Sequence, residues 1–203
     1  MNEILPGVFH WTAKHPKILA NVSSYYVAES GTVLDPMLPP DGLGWFGDER
    51  EVETIALTNR HHDRQAAEYC GAFGVGPVLV PESGLHEFDG KDLDVRGYAP
   101  GEEIVSGIVA HEVGALCPDD MALEIRSAGA LALADGLVHV RGVVRFVSDN
   151  LMDDPPETKR GLVASFERLL DVDFDALLFA HGDPIVGDGK QALREFLATN
   201  PAG

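Results

Sequence analysis

Seven consecutive residues, Thr58-Asn59-Arg60-His61-His62-Asp63-Arg64, hold the chain's densest group of side chains able to bind a cation or move a proton. They follow an apolar run at 54–58 and precede a stretch of helical composition, so they read as a loop at a strand end. From such a loop an imidazole and a carboxylate two residues apart, His61 and Asp63, can face one cleft, and both are good ligands for zinc, manganese or iron. The same run also reads as a polar capping loop, with Asp63 at the helix start and the histidines in water. His181 follows five apolar residues and precedes a glycine turn, which turns it towards the end of a sheet or into a local hydrogen bond. Asp135 closes the apolar run at 130–134 and by itself is an ordinary turn aspartate.

The elements that must position these groups alternate in a recognisable order. Strands are expected at 7–11, 23–28 and 32–34, with Glu29-Ser30-Gly31 turning the second into the third. After the breakers Pro36, Pro39, Pro40, Gly42 and Gly44 come the strand at 54–58, a helix at 65–73 stopped by Gly74, and a buried strand at 77–80. Short β-rich segments at 95–98, 104–112, 121–125, 130–134 and 137–147 imply a second sheet. Leu162, Val163, Phe166, Leu169 and Leu170 recur at helical spacing within 156–170, a strand follows at 176–180, and a helix closes the chain at 190–197.

Composition narrows the function classes. A chain of 203 residues with 45% apolar residues and no biased tract has enough apolar surface for one core. Its 33 acidic against 15 basic side chains, a formal charge of -18, repel phosphate backbones and argue against nucleic acid as a partner. No stretch approaches the roughly 20 apolar residues of a membrane span, and the opening residues lack an export signal. Cys70 and Cys117 have no CxxC spacing and form no disulfide framework, so each reads as a small buried hydrophobe in a cytoplasmic protein.

Taken in order, these segments resemble the metallo-β-lactamase superfamily over nearly the whole chain. Pro6-Gly7-Val8-Phe9, Ser24-Tyr25-Tyr26-Val27 and Gly31-Thr32-Val33-Leu34-Asp35-Pro36 are similar to that family's first hairpins, where the aspartate is structural. The family motif Thr-His-x-His-x-Asp-His, set with its threonine on Thr58, falls on Asn59, His61, Asp63 and Arg64. Its Pro-Gly-His falls on Val113-Gly114-Ala115, its bridging aspartate on Asp135, and its Gly-His-Gly on Ala180-His181-Gly182.

The resemblance implies an α/β fold, a four-layer αββα sandwich, as one domain over residues 1–203, with His61, Asp63, Asp135 and His181 as the remaining metal ligands. That reduced set implies one divalent cation, zinc before manganese or iron, or none. The function implied is hydrolysis of a small ester, lactone or thioester, with Asp63 or Asp135 orienting water. The alternative is a catalytically silent module binding a small molecule or a protein, in which Arg64 or Arg60 pairs with Asp63 or Asp135 and stands in for the cation. His62, His111 and Cys117 lie beside the motifs but match no ligand position, and Trp11, His15 and His86 are expected near the cleft mouth.

Overall fold

The structure, a computed structural model, describes residues 1–47 and 49–201; Asp48, Ala202 and Gly203 of the expected 1–203 domain lie outside the described residues. The chain runs β1 (Asn2–Leu5), β2 (Val8–Lys14), β3 (Asn21–Val27), β4 (Thr32–Leu34), β5 (Thr54–Ala56), α1 (Ala66–Phe73), β6 (Val78–Pro81) and β7 (Val95–Tyr98). It continues through β8 (Glu103–Val105), β9 (Ile108–Glu112), β10 (Met121–Ile125), β11 (Ala130–Leu133), β12 (Leu137–Val140), β13 (Val143–Phe146), α2 (Pro155–Leu169), β14 (Ala176–Phe179) and α3 (Gly189–Thr199). Strands β1 to β7 form one mixed sheet in chain order, β14-β11-β10-β9-β8 form a second, and β12 pairs with β13.

Three apolar clusters define the layers. Tyr25, Leu34 and Leu79 of the first sheet meet Leu123, Ala132 and Leu178 of the second in a shared core. Tyr26, Ile55 and Val80 on the other face of the first sheet pack with Ala66 and Tyr69 of α1. Leu131, Leu177 and Phe179 of the second sheet pack with Leu162, Phe166 and Leu193 of α2 and α3. Successive strand residues face opposite ways, so central strands such as β5, β6, β10, β11 and β14 each feed two of these clusters, and the result is the expected αββα sandwich.

Local chemistry sets most boundaries. Asp154 caps α2 by accepting a hydrogen bond from the Glu157 amide at 3.1 Å, with Pro155 as the first helical residue. The expected strand at 104–112 is divided into β8 and β9 at Gly107, whose φ of 77° bends the chain back. That at 137–147 is divided in the same way: Arg141 and Gly142 have φ of 55° and 74°, the paired left-handed residues of a tight hairpin.

The sheets are also sewn together by hydrogen bonds near the cleft. Tyr25 Oη donates to the Phe179 carbonyl at 2.8 Å and accepts from the Phe179 amide at 3.0 Å. The Ser23 amide donates to the Ala180 carbonyl at 2.9 Å, Ser23 Oγ to the Gly182 carbonyl at 2.9 Å, and the Met121 amide to the Thr58 carbonyl at 2.9 Å. Among the described residues no helix is long and apolar enough to cross a membrane.

Candidate functional site

The loop after β5 is a single 3-10 turn, Arg60–His62, capped by Asn59, whose Oδ1 accepts from the His61 amide at 2.9 Å. With three residues per turn, side chains three apart share a face, so Asn59 and His62 point together. His62 is buried and His61 is exposed. The loops after β11 and β14 bring Asp135 and His181 to the same place. One ligating atom each from His62, Asp135 and His181 lies within 4.8 Å of the others.

The expected set of His61, Asp63, Asp135 and His181 therefore does not assemble as read. Asp135 and His181 meet with His62, because the turn has a period of three where a strand-like reading gave two. Asp63 faces Lys91, whose Nζ donates to its Oδ2 at 2.7 Å, and its Oδ1 accepts from the Arg64 amide at 3.0 Å. His61 lines the cavity beside the cluster without joining it.

Asp35 holds the centre in register. Its carboxylate accepts from the Thr58 amide at 2.8 Å, from Thr58 Oγ1 at 2.7 Å and from His62 Nδ1 at 2.9 Å. Burial opposes its charge, but the His62 imidazole and the Arg64 guanidinium outweigh burial and hold the carboxyl below the usual range. The Nδ1 bond aims His62 Nε2 at Asp135 Oδ1, 3.2 Å away, and His181 Nε2 lies 2.9 Å from the same oxygen. Burial works against protonating His62, yet Asp35 and Asp135 prevail and push it up to about 9. Burial likewise works against a charged Asp135, while His62 and His181 hold it well below the ordinary carboxylate range.

A second buried network, which the sequence reading did not foresee, lies behind the cluster. Asn59 Nδ2 donates to Asp135 Oδ2 at 3.1 Å and to Asp120 Oδ1 at 3.0 Å, while Asp120 Oδ2 is buried with no partner among the described residues. Burial, and then the charge on Asp135, push Asp120 up to about 7. The neighbouring Asp119 accepts from the Arg60 amide at 2.6 Å and pairs with its guanidinium. The available signal was the Asp119-Asp120 pair just before an apolar strand, an unusual place for two carboxylates.

Arg64 also departs from expectation. Its Nη1 donates to the backbone carbonyls of Ser23 at 2.6 Å and Asp35 at 2.8 Å. It forms no ion pair with Asp63 or Asp135, and Arg60 is taken by Asp119 and Glu87. No arginine occupies the cation position. Of the remaining candidates, His111 bonds Glu124 at 2.9 Å, Trp11 donates to the Met37 carbonyl at 2.9 Å, and His86 is exposed beside Glu87. His15 does line the cleft.

The donor set fits one divalent cation. Metal–ligand bonds of about 2.0–2.1 Å in a tetrahedron place ligand atoms roughly 3.3 Å apart, close to the separations of 3.2 and 2.9 Å from Asp135 Oδ1 to the two imidazoles. It does not fit a pair of cations, because Asn59 turns its N–H groups to the carboxylates and Ala115 offers no ligand. The cluster opens into a cavity of about 480 Å³ whose remaining wall is mainly apolar, with Val22, Val138, Val140, Val147 and Leu151, and carries His15, His61 and Arg64 on one side.

No sequence-family model matches the chain, and no curated protein matches it. Solved structures do. The DIM-1 metallo-β-lactamase superposes with a TM-score of 0.72 at 14% identity over 97% of this chain and 95% of that one. A metallo-β-lactamase family protein from Thermus thermophilus gives 0.65 at 17% identity over 98% and 81%. TTHA1623 in a di-iron-bound form gives 0.67 at 21% over 94% and 98%. Rubredoxin oxygen:oxidoreductase of Desulfovibrio gigas gives 0.68 at 14%, and this chain spans 60% of its length. The chain has the metallo-β-lactamase fold.

Proposed function

We propose that the protein is a hydrolase of small esters, lactones or thioesters that works with one divalent cation, zinc before manganese or iron, held by His62, Asp135 and His181. The observation that carries this reading is the convergence of three ligating atoms within 4.8 Å at the floor of an apolar cavity. Such a cation supplies Lewis acidity towards a carbonyl oxygen and makes water nucleophilic near neutral pH. The chain's own groups prepare the place. Asp35 fixes the His62 ring so that Nε2 faces the cluster, and Asn59 occupies Asp135 Oδ2 so that Oδ1 alone is offered. The apolar walls exclude bulk water and favour a neutral acyl group over a polyanion. Asp63, tied to Lys91, orients no water in this reading; Asp135 does.

The test is zinc titration by calorimetry together with hydrolysis of a chromogenic acyl ester by the zinc-loaded protein. Binding close to one zinc per chain and turnover abolished by both His181→Ala and Asp135→Asn are expected. Zinc uptake without turnover would favour the second reading, a binding module, which draws support from the direct hydrogen bonds by which His62, Asp135 and His181 satisfy one another. Absence of zinc uptake would remove the metal reading altogether.

A further inference from the structure

Next to the mainly apolar cavity lies a second one of about 480 Å³, and the two adjoin along His15, Ile18, His61 and Arg64, which line both. Their linings differ sharply. Four of the chain's 15 lysines and arginines, Lys17, Arg60, Arg64 and Lys91, line the second lobe of a protein whose formal charge is -18. Asp63 and Glu87 are the acidic residues there, and each already has a cation: Asp63 pairs with Lys91 at 2.7 Å, and Glu87 Oε1 is 3.7 Å from Arg60 Nε. That leaves Arg64 and Lys17 without a carboxylate partner among the described residues.

Arg64 is the stronger of the two signals. Its Nη1 is spent on backbone carbonyls, but its Nη2 is buried and has no acceptor. A buried guanidinium N–H without a partner is costly, and the acceptor that suits its planar fork is an oxyanion. Lys17 stands exposed on the turn between β2 and β3, where it adds a second positive charge over the same lobe. The apolar lobe, by contrast, continues outward to Ile18 and Leu151, two large apolar side chains that are more than half exposed.

We infer that the substrate is an amphiphile, with an anionic head held by Arg64 and Lys17 in the cationic lobe and an aliphatic chain in the apolar lobe. This inference rests on the hydrolase reading for its reacting centre: the ester, lactone or thioester carbonyl lies between the lobes, over His62, Asp135 and His181. Water adds across the acyl–oxygen or acyl–sulfur bond, the acyl carbon leaves as a carboxylic acid, and the proton goes to the departing alcohol or thiol. The head is a carboxylate or a phosphate, and the shared requirement is negative charge.

Calorimetric titration separates these terms without any turnover. Octanoate, octyl phosphate, 1-octanol and octyltrimethylammonium are titrated, below micelle concentrations, into the protein as purified and after chelation. One or both anions should bind at least about tenfold tighter than octanol in both preparations, with the advantage shrinking as salt screens the charge. The tighter anion identifies the head. Lys17→Glu, on an exposed turn, should weaken the anions about tenfold and leave octanol unchanged; Leu151→Ser should weaken anions and octanol alike. Equal binding of octanol and both anions, equal binding of the ammonium compound, or indifference to Lys17→Glu would overturn the inference. A separate zinc titration keeps the two ideas apart: zinc uptake with no preference for anions sinks only the amphiphile, and preference for anions with no zinc uptake sinks only the hydrolase.

Discussion

At the scale of single residues, the site's charges depend on which protons stay in place when the chain folds. Asp120 is pushed up to about 7 from 3.8, so the folded chain holds its proton more tightly than the unfolded chain. Its contribution to stability therefore falls as pH rises from about 4 through 7. Asp120→Asn keeps the acceptor for Asn59 and removes the buried charge. Urea unfolding should show the variant equal to wild type at pH 4 and more stable by about 1–3 kcal/mol at pH 8; an identical difference at both pH values would mean that Asp120 does not titrate in this range. His62 titrates higher. Its folded value of about 9 exceeds 6.5, so its stabilisation is complete below 6.5 and disappears as pH rises through 9. In chelator, and in the Asp120→Asn background so that the lower window is silent, the unfolding midpoint should decline between pH 6.5 and 9. A midpoint that climbs over that interval would refute the imidazolium between Asp35 and Asp135.

Among the elements, Tyr25 on β3 ties the two sheets with both a donated and an accepted hydrogen bond to Phe179 on β14. Tyr25→Phe leaves the shape of the core and strips partners from one amide and one carbonyl, a loss of about 1–3 kcal/mol. The melting temperature should drop by roughly 2–12 °C, and a drop near zero would show that water enters to replace the hydroxyl. This tie illustrates which parts of the molecule the sequence could disclose. Apolar runs ending in Asp135 and His181 were legible because a strand with a polar terminus is a local pattern. Asp35 was legible only through family resemblance. His62 was not, because His61 and His62 are adjacent and the choice depends on the period of one short turn. Asn59 with Asp120, and Tyr25 with Phe179, pair residues 61 and 154 positions apart, beyond the reach of any local spacing. Two sheets with intervening helices were readable from strand and helix alternation and their αββα layering only through the family resemblance, whereas β1, a four-residue strand with a register shift against β2, carries no periodic signal.

For the whole molecule, the cluster draws His62 from the first sheet and Asp135 and His181 from the second, so a bound cation couples the two halves of the sandwich. Zinc at about 100 times its Kd should add about 2.7 kcal/mol, a rise in melting temperature of about 5–10 °C, with no change in far-UV circular dichroism. A melting curve unmoved by zinc would contradict the coupling. Chelation should leave the fold intact, because the Tyr25, Ser23 and Met121 hydrogen bonds join the sheets without any ion. Those ties also govern time. A cation that is the sole clasp of a fold leaves only as fast as the fold opens, whereas here the cleft can release one ion and admit another while both sheets stay shut. Ion exchange at this site should then be set by the breaking of the bonds from three side chains to the ion and not by opening of the fold, and the protein would track the supply of metal around it within the lifetime of a single folded molecule.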